Sequence, residues 1–495
     1  MLRIALAALL AGALAPAQPV PPLPVDNFTG HPRVIVISDI GNEPDDQMSL
    51  TRLLLYSNEI DIEALIAATS TWQKTTVHPE TMRALIKAYG RVRPNLLQHA
   101  TGWPAAEDLD SRVFTGQPAY GLAATSASQM SEGAEAIVKA VDRGIDRNDP
   151  RPLWIAIWGG ANTLAQALLR VRSTRRPEAV EQFVGKLRVY SISDQDDAGP
   201  WIRQEFPNLF YIVQPSTPTG GEYYYAAWTG ISGDLYYRNG DGASFTTVTN
   251  EWLEANIRAK GPLGKLYPRF AFIMEGDTPS FLGLIDNGLN AYRRPDWGGW
   301  GGRYVYRQPY GETHPIWTQG GDLFSRVTSQ DTVPGVDGKP RTSDQATIWR
   351  WREAFQNDFA ARMDWTIADY AHANHNPLLE VNGQAGTAPI MIDARVGQPV
   401  LLDASHSHDP DGQTLHYNWF HYPEAGAMGA NLAGINIAGA DTPKAVVTPT
   451  AVCRPQWLPI PGQCSGTGTA HIILAVTDDG SPRLTSYRRI ILSVR

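Results

Sequence analysis

Four carboxylates crowd into one short stretch of the chain. Asp39, Glu43, Asp45 and Asp46 all lie in Ser38-Asp39-Ile40-Gly41-Asn42-Glu43-Pro44-Asp45-Asp46-Gln47. Like charges this close repel one another unless a cation sits among them. Ligands that offer only oxygen select a hard cation, Ca²⁺ or Mg²⁺. A blander account is an acidic loop at a helix start, where Asp45 and Asp46 are welcome anyway. Capping explains one or two acids, not four, so the spacing points to a metal or sugar site. The four carboxylates are the candidates for that site, with Asn42 beside them as a candidate substrate contact.

The flanking residues say how the loop is held. Arg33 to Ile37 is a short apolar, β-branched run that reads as a buried strand. Met48 to Tyr56 carries apolar residues at helical spacing. The acids therefore sit in a strand–loop–helix unit, at the strand's C-terminal end, where an open α/β sheet binds ligands. From about residue 30 to 290 the pattern repeats. Expected strands are Ile62–Ala68, Leu96–His99, Leu153–Trp158, Leu187–Ile192, Leu209–Val213 and Arg269–Met274. Expected helices include His78–Tyr89, Glu132–Arg143, one from Leu164, and Phe281–Ile285. Such alternation means a mostly parallel sheet wrapped by helices. Polar residues recur just past the strand ends: Thr69 to Trp72, Asn162, Asp194 to Asp197, and Glu275 with Asp277. Each cluster alone is weak, but strand ends of such a sheet converge on one crevice, and together they predict a pocket.

The strand-1 loop resembles that of the nucleoside hydrolases. It is more closely similar to the nucleoside-hydrolase-like domain of a group of secreted bacterial proteins described as cellulose-binding, whose loop runs Asp-Ile-Gly-Asn-Glu-Pro-Asp-Asp-Gln, as Asp39 to Gln47 does here. The resemblance implies that loop carboxylates chelate Ca²⁺, bond sugar hydroxyls and activate the attacking water. Asp39, Asp45 and Asp46 fall on three of the acidic positions. The water-activating Asp falls on Gly41 in an ungapped alignment, and Glu43 is the residue placed to take over. Gly159-Gly160-Ala161-Asn162-Thr163-Leu164-Ala165 resembles a second family segment, which puts Asn162 where a backbone carbonyl helps bind Ca²⁺. Glu275-Gly276-Asp277-Thr278-Pro279 resembles a late His-Asp-Pro segment. Asp277 matches the Asp that closes the Ca²⁺ shell, and Gly276 replaces the His that protonates a leaving base. Thr69 and Trp72 lie where the family recognises the sugar.

The rest of the chain sets the context. A chain of 495 residues accommodates two or three domains. A net charge of −8 argues against nucleic acid or an anionic membrane surface as the main partner. Met1 to Ala17 reads as a signal peptide: Arg3, an apolar run Ile4 to Leu14, and Ala15-Pro16-Ala17 for cleavage. That run is too short to span a membrane, and no other segment spans one. The expected mature protein is exported, to the periplasm or outside. Residues 18–29 read as a Pro-rich linker. Cys453 and Cys464, the two cysteines, are an expected disulfide.

Trp297-Gly298-Gly299-Trp300-Gly301-Gly302 cannot be a regular helix. It reads either as an aromatic rim for a sugar, with Trp297 and Trp300 as contacts, or as a packed loop. Asp344 to His372 reads as one long amphipathic helix. Beyond Pro377 the period falls to 2, and the Asp-Ala-Ser…Asp-Pro-Asp-Gly turn at 403–412, Trp419 and Val476-Thr477-Asp478-Asp479-Gly480 resemble a PKD- or Ig-like β-sandwich. Asp409 and Asp411 read as turn residues, and His406, His408 and His416 as exposed strand positions.

The expected layout is a signal peptide over 1–17, a linker over 18–29, a nucleoside-hydrolase-like α/β domain over 30–374 and a PKD/Ig-like β-sandwich over 375–495. The expected activity is a secreted, Ca²⁺-dependent glycoside hydrolase acting on a polysaccharide or glycoside. Asp194, Asp196 or Glu275 would donate the proton to the leaving group, and Asp45, Asp46, Asn162 and Asp277 would hold metal and sugar hydroxyls. The alternatives are a non-catalytic cellulose-binding protein and a nucleoside N-ribohydrolase.

Overall fold

The computed structural model describes residues 25–218, 221–233, 237, 241–319, 329–426, 431–453 and 466–495. The expected signal peptide lies outside them, as does Cys464; Cys453 is disulfide-bonded. Of the expected linker, residues 25–29 are described: Phe28 is buried and Asp26 pairs with Arg188 at 2.6 Å.

Eight strands form the main sheet: β1 (Arg33–Ser38), β2 (Asp61–Ala67), β3 (Val113–Thr115), β4 (Leu153–Ile157), β5 (Leu187–Ser191), β6 (Phe210–Ile212), β7 (Val305–Arg307) and β8 (Ile316–Thr318). Their spatial order is β3-β2-β1-β4-β5-β6-β8-β7. All pairings are parallel except the edge pair of β7 with β8. Both faces are covered, which is why the strands read as continuous apolar runs. Along β1, Val34 and Val36 enter one core while Ile35 and Ile37 enter the other. The order reverses between β1 and β4, the switch point at which a crevice opens beyond the strand ends.

Helix Pro44–Leu54 starts where the sequence signals it, with Pro44 in the first turn and Asp45 and Asp46 following. Met48, Leu50, Leu53 and Leu54 face the core and fix its rotation. Three expectations are corrected. Leu96–His99 is not a strand but the end of helix Pro79–His99, which runs through Pro94 because Val92 and Leu96 anchor both sides of it in the core. Arg269–Met274 is irregular, with Phe272 exposed. The long helix over 344–372 is broken into Ala346–Trp349, Arg352–Asp364 and a turn at Tyr370–His372.

The C-terminal part is two facing sheets. One orders Ile390–Ala394, Thr485–Val494, Gly468–Thr477 and His416–His421; the other orders Val400–Asp403, Lys444–Ala451 and Gly434–Ala438. Trp419, Leu402, Val447, Leu474 and Leu492 meet between them. This sandwich is docked on the α/β part. Arg489 donates to Gly298 O and Leu289 O at 2.8 and 2.7 Å, and Tyr422 OH donates to Asp331 at 2.6 Å. Trp351 stacks edge-on with Tyr422 and Tyr487. Among the described residues no helix is long and apolar enough to cross a membrane.

Candidate active site

The acids sit just beyond β1, at the switch point. Ser38 Oγ donates to Asp46, and Ser70 Oγ, from the loop after β2, donates to Asp39. The loop after β4 closes against the same group: a Cβ added at Gly159 would lie 3.0 Å from the Asp39 carboxylate. Asp277 comes from the loop before helix Pro279–Leu282. One carboxylate oxygen each from Asp45, Asp46 and Asp277 lie within 4.8 Å of one another. Asp45 Oδ1 and Asp277 Oδ2 are buried and have no hydrogen-bond partner.

The electrostatics follow from that geometry. Burial, reinforced by neighbouring acids, pushes Asp45 up to about 8 and Asp46 and Asp277 well above the ordinary carboxylate range. Asp39 rises to about 6 through burial, held back by the Ser70 hydroxyl. Glu43 rises to about 7 through burial and then the Asp39 charge. Without a cation such a site takes up protons instead. Oxygen-only donors, two of them orphaned, in a buried carboxylate cluster fit a hard divalent cation.

A cleft of ≈ 480 Å³ opens over the cluster, lined by Glu43, Asp45 and Asp277 and walled by Trp72, Tyr223, Tyr224, Trp228 and Phe272. Trp72, Tyr224 and Phe272 are exposed at 45%, 44% and 49%, the flat faces a sugar ring stacks on. Tyr223, Tyr224, Trp228 and Phe272 were not among the expected residues. The aromatic run Tyr223-Tyr224-Tyr225 was the available signal; nothing local tied it to β1.

The structure also separates residues grouped by the sequence. Thr69, Asn162 and Asp196 do converge beside the cluster. Asn162 N–H donates to Asp196 Oδ2 at 3.0 Å, and its amide donates to Ala119 O at 2.8 Å and Thr69 Oγ1 at 3.4 Å. Asp196, raised to about 6 by burial, thus fixes the loop after β4. Glu275, expected as catalytic, is fully buried and committed elsewhere: Arg52 Nη2 donates to it at 3.0 Å and Tyr267 OH at 2.6 Å. Asp194 is likewise locked, bound by Arg203 at 2.8 and 2.9 Å. Asn42 is exposed and outside the cleft wall. Trp297 and Trp300 are 6% and 2% exposed. Trp297 packs on His471 and Arg489, and Trp300 on Phe355 and Tyr487, so the packed-loop reading holds and the rim reading does not.

Two glycines shape the site. Gly41 has φ +109°, and a Cβ there would meet the His78 ring at 2.6 Å. A Cβ at Gly276 would approach Asp45 Oδ2 to 2.7 Å and Trp228 to 3.3 Å. The backbone passes too close at both places for a carboxylate or an imidazole to be accommodated without shifting a neighbour.

Both parts of the chain are similar to known proteins. Residues 33–304 match the family model for cellulose-binding Sde182, nucleoside hydrolase-like domain, and residues 399–494 that for the cellulose-binding protein Sde0182, C-terminal domain. A solved structure of a nucleoside hydrolase-related hypothetical protein from Saccharophagus degradans, described as associated with carbohydrate metabolism, is similar at 34% identity and a TM-score of 0.76, covering 94% of this chain and all 100% of that one. A PKD domain from the KIAA 1837 protein (19% identity, 23% of this chain, 94% of that chain) has a TM-score of only 0.15. The effector protein XOO4466 (12% identity, 60% and 88%) reaches 0.30. No curated protein matches. The α/β fold, the sandwich behind it and a structural likeness over nearly the whole chain place this protein in the cellulose-binding Sde182 family, whose first domain is nucleoside-hydrolase-like.

Proposed function

We propose that this is an exported carbohydrate-active protein whose cleft hydrolyses a glycosidic bond with the help of a bound Ca²⁺. The observation that carries the reading is the pair of buried, unpartnered carboxylate oxygens on Asp45 and Asp277, converging with Asp46 at the floor of an aromatic-walled cleft. Asp45, Asp46 and Asp277 would hold the cation, with Asp39 behind them. When bound, it would neutralise the cluster and polarise oxygens brought near it. Trp72, Tyr224 and Phe272 hold the sugar ring. Glu43 lines the cleft and takes the proton from the attacking water. The relatives described as cellulose-binding and as associated with carbohydrate metabolism support a glycan as the ligand, and the apolar N-terminal run supports export.

A second reading, a protein that holds glycan without cutting it, is favoured by one observation. Two of the expected proton donors, Glu275 and Asp194, are each bound to an arginine, and Asp196 is taken up by loop N–H groups. A nucleosidase has less support, because Gly276 stands where an acid for the leaving base would be needed and the space beside it is taken. The deciding assay is reducing-end release from cellulose and other β-glycans, with and without Ca²⁺. The hydrolase reading expects Ca²⁺-dependent release that drops by ~10²-fold or more in Glu43→Gln. Glycan retained but never cut by the wild type establishes the binding reading instead.

A further inference from the structure

Trp72 walls the cleft with nearly half of its surface in solvent. Its place is therefore set more by the backbone that carries it than by packing. That backbone is a tight loop between β2 and helix Pro79–His99. The loop is closed on itself in both directions: Ser70 N–H donates to Gln73 O at 3.0 Å, and Gln73 N–H donates to Ser70 O at 3.3 Å. It is then fastened to its neighbours. Thr71 N–H donates to Gln195 O at 2.8 Å, and Gln195 lines the same cleft. The Gln73 amide donates to Asp39 O at 3.1 Å and reaches Ile40 O at 3.5 Å.

Ser70 is the hub of these ties. A serine hydroxyl has one proton and two lone pairs. Ser70 Oγ accepts from Trp72 N–H at 3.0 Å and from Gln73 N–H at 3.2 Å, and it gives its proton to Asp39 Oδ2. The whole capacity of the hydroxyl is committed. A serine that only capped its own loop would account for the two accepted bonds. It would not account for a proton given to a carboxylate of the acid cluster, nor for a second tie from Gln73 to the same residue.

An O–H···carboxylate bond is among the stronger hydrogen bonds. Asp39 is itself confined, because the loop after β4 passes within 3.0 Å of its carboxylate when a Cβ is placed on Gly159. Asp39 and Ser70 are both buried, so a continuous path sheltered from water runs from the cluster to the backbone N–H of Trp72. We propose that Ser70 is a positioning residue for glycan binding, which holds the Trp72 platform in fixed register with the carboxylate floor through Asp39. It does so without touching the sugar. The proposal rests on the reading that Trp72 stacks on a sugar ring, and not on the cleft's cutting the glycan.

The test is calorimetric titration of the whole protein with cellohexaose in the presence of Ca²⁺. Wild type, Ser70→Ala, Trp72→Ala and the double variant are compared, with thermal melts as the check of fold. Ser70→Ala is expected to weaken binding about fivefold when Trp72 is present. Once Trp72 is gone the same change should cost less than about twofold, because no platform is left to misplace. A merely structural role would cost the same in both backgrounds. Equal losses in the two backgrounds, or no loss in either, overturn the proposal and leave the Trp72 contact standing. A Trp72→Ala variant with wild-type affinity overturns it together with the stacking reading, as does a wild type that does not bind cellohexaose. If Ser70→Ala does not fold, Gln73→Ala cuts the second tie to Asp39 and is held to the same dependence on Trp72.

Discussion

Two sets of buried acids in this molecule are made of the same residues and differ in what surrounds them. Glu275, Asp194 and Asp331 each lie against arginine: Arg52, Arg203, and Arg303 with Arg350. Asp39, Asp45, Asp46 and Asp277 are packed together with serine hydroxyls and one another, and no arginine or lysine is among the causes that shift them. The first set is neutralised by the protein and fastens helix Pro44–Leu54, the strand ends and the sandwich. The second has no protein cation among the causes that shift it, which is the basis of the proposed metal site. Burial alone therefore does not mark a functional acid, as Asp196, held by loop N–H groups, also shows; a cluster of acids with no cationic partner, opening on a cleft, is the stronger mark.

The contrast can be broken at its matched side first. Arg52→Met leaves Glu275 buried and unpaired, and denaturant unfolding should show a loss of about 3–5 kcal/mol. Trp300→Ala, which empties a packed site, should cost a similar ~3–5 kcal/mol with no direct effect on glycan contact. The unmatched side should behave in the opposite way. Asp45→Asn removes repulsion, so the metal-free variant should melt at or above the wild-type temperature while its Ca²⁺ affinity falls by ~10²-fold or more.

The pH dependence sharpens the same comparison. The unmatched acids have folded-state pKa values raised above the ordinary ~4, to about 8 for Asp45 and about 7 for Glu43. Their contribution to stability is complete below pH ~4 and is lost as pH rises through the folded values. Thermal melts of the metal-free protein should therefore fall between pH 5 and pH 8, and the stabilisation by added Ca²⁺ should grow over the same range. Melts that rise with pH would show that the acids are already neutralised. The smallest effect is at the rim: Trp72→Ala should weaken glycan binding in the cleft about tenfold, with an unfolding midpoint within ~0.5 kcal/mol of wild type.

How far the sequence foretold this depended on whether the signal was local. The β1 loop was legible because strand, acids and helix are contiguous, and four acids in eight residues cannot all be caps. Asp277 was legible through its resemblance to a known segment. The roles of Glu275 and Asp194 were not, because their partners Arg52 and Arg203 are identified only by folding, the first from a helix 223 residues away. Trp297 and Trp300 misled because a Gly-rich aromatic loop looks the same whether it faces water or the docked sandwich. Beyond Trp72, which the sequence names, the aromatic wall includes residues from 223–228 and 272, where no periodicity points at β1. Leu96–His99 reads as a strand because a four-residue run has no clear period, whereas packing of Val92 and Leu96 on both sides of Pro94 carries the helix through it.

The most direct test of the central claim is isothermal titration of chelator-treated protein with Ca²⁺ at pH 6.5, in two buffers of different ionisation enthalpy. If the carboxylates of Asp45, Asp46 and Asp277 await a cation, binding occurs at one site and expels protons from the raised acids, so the heat differs between buffers, and Asp45→Asn abolishes both. Absence of binding, or binding without proton release that survives in Asp45→Asn, would contradict the account.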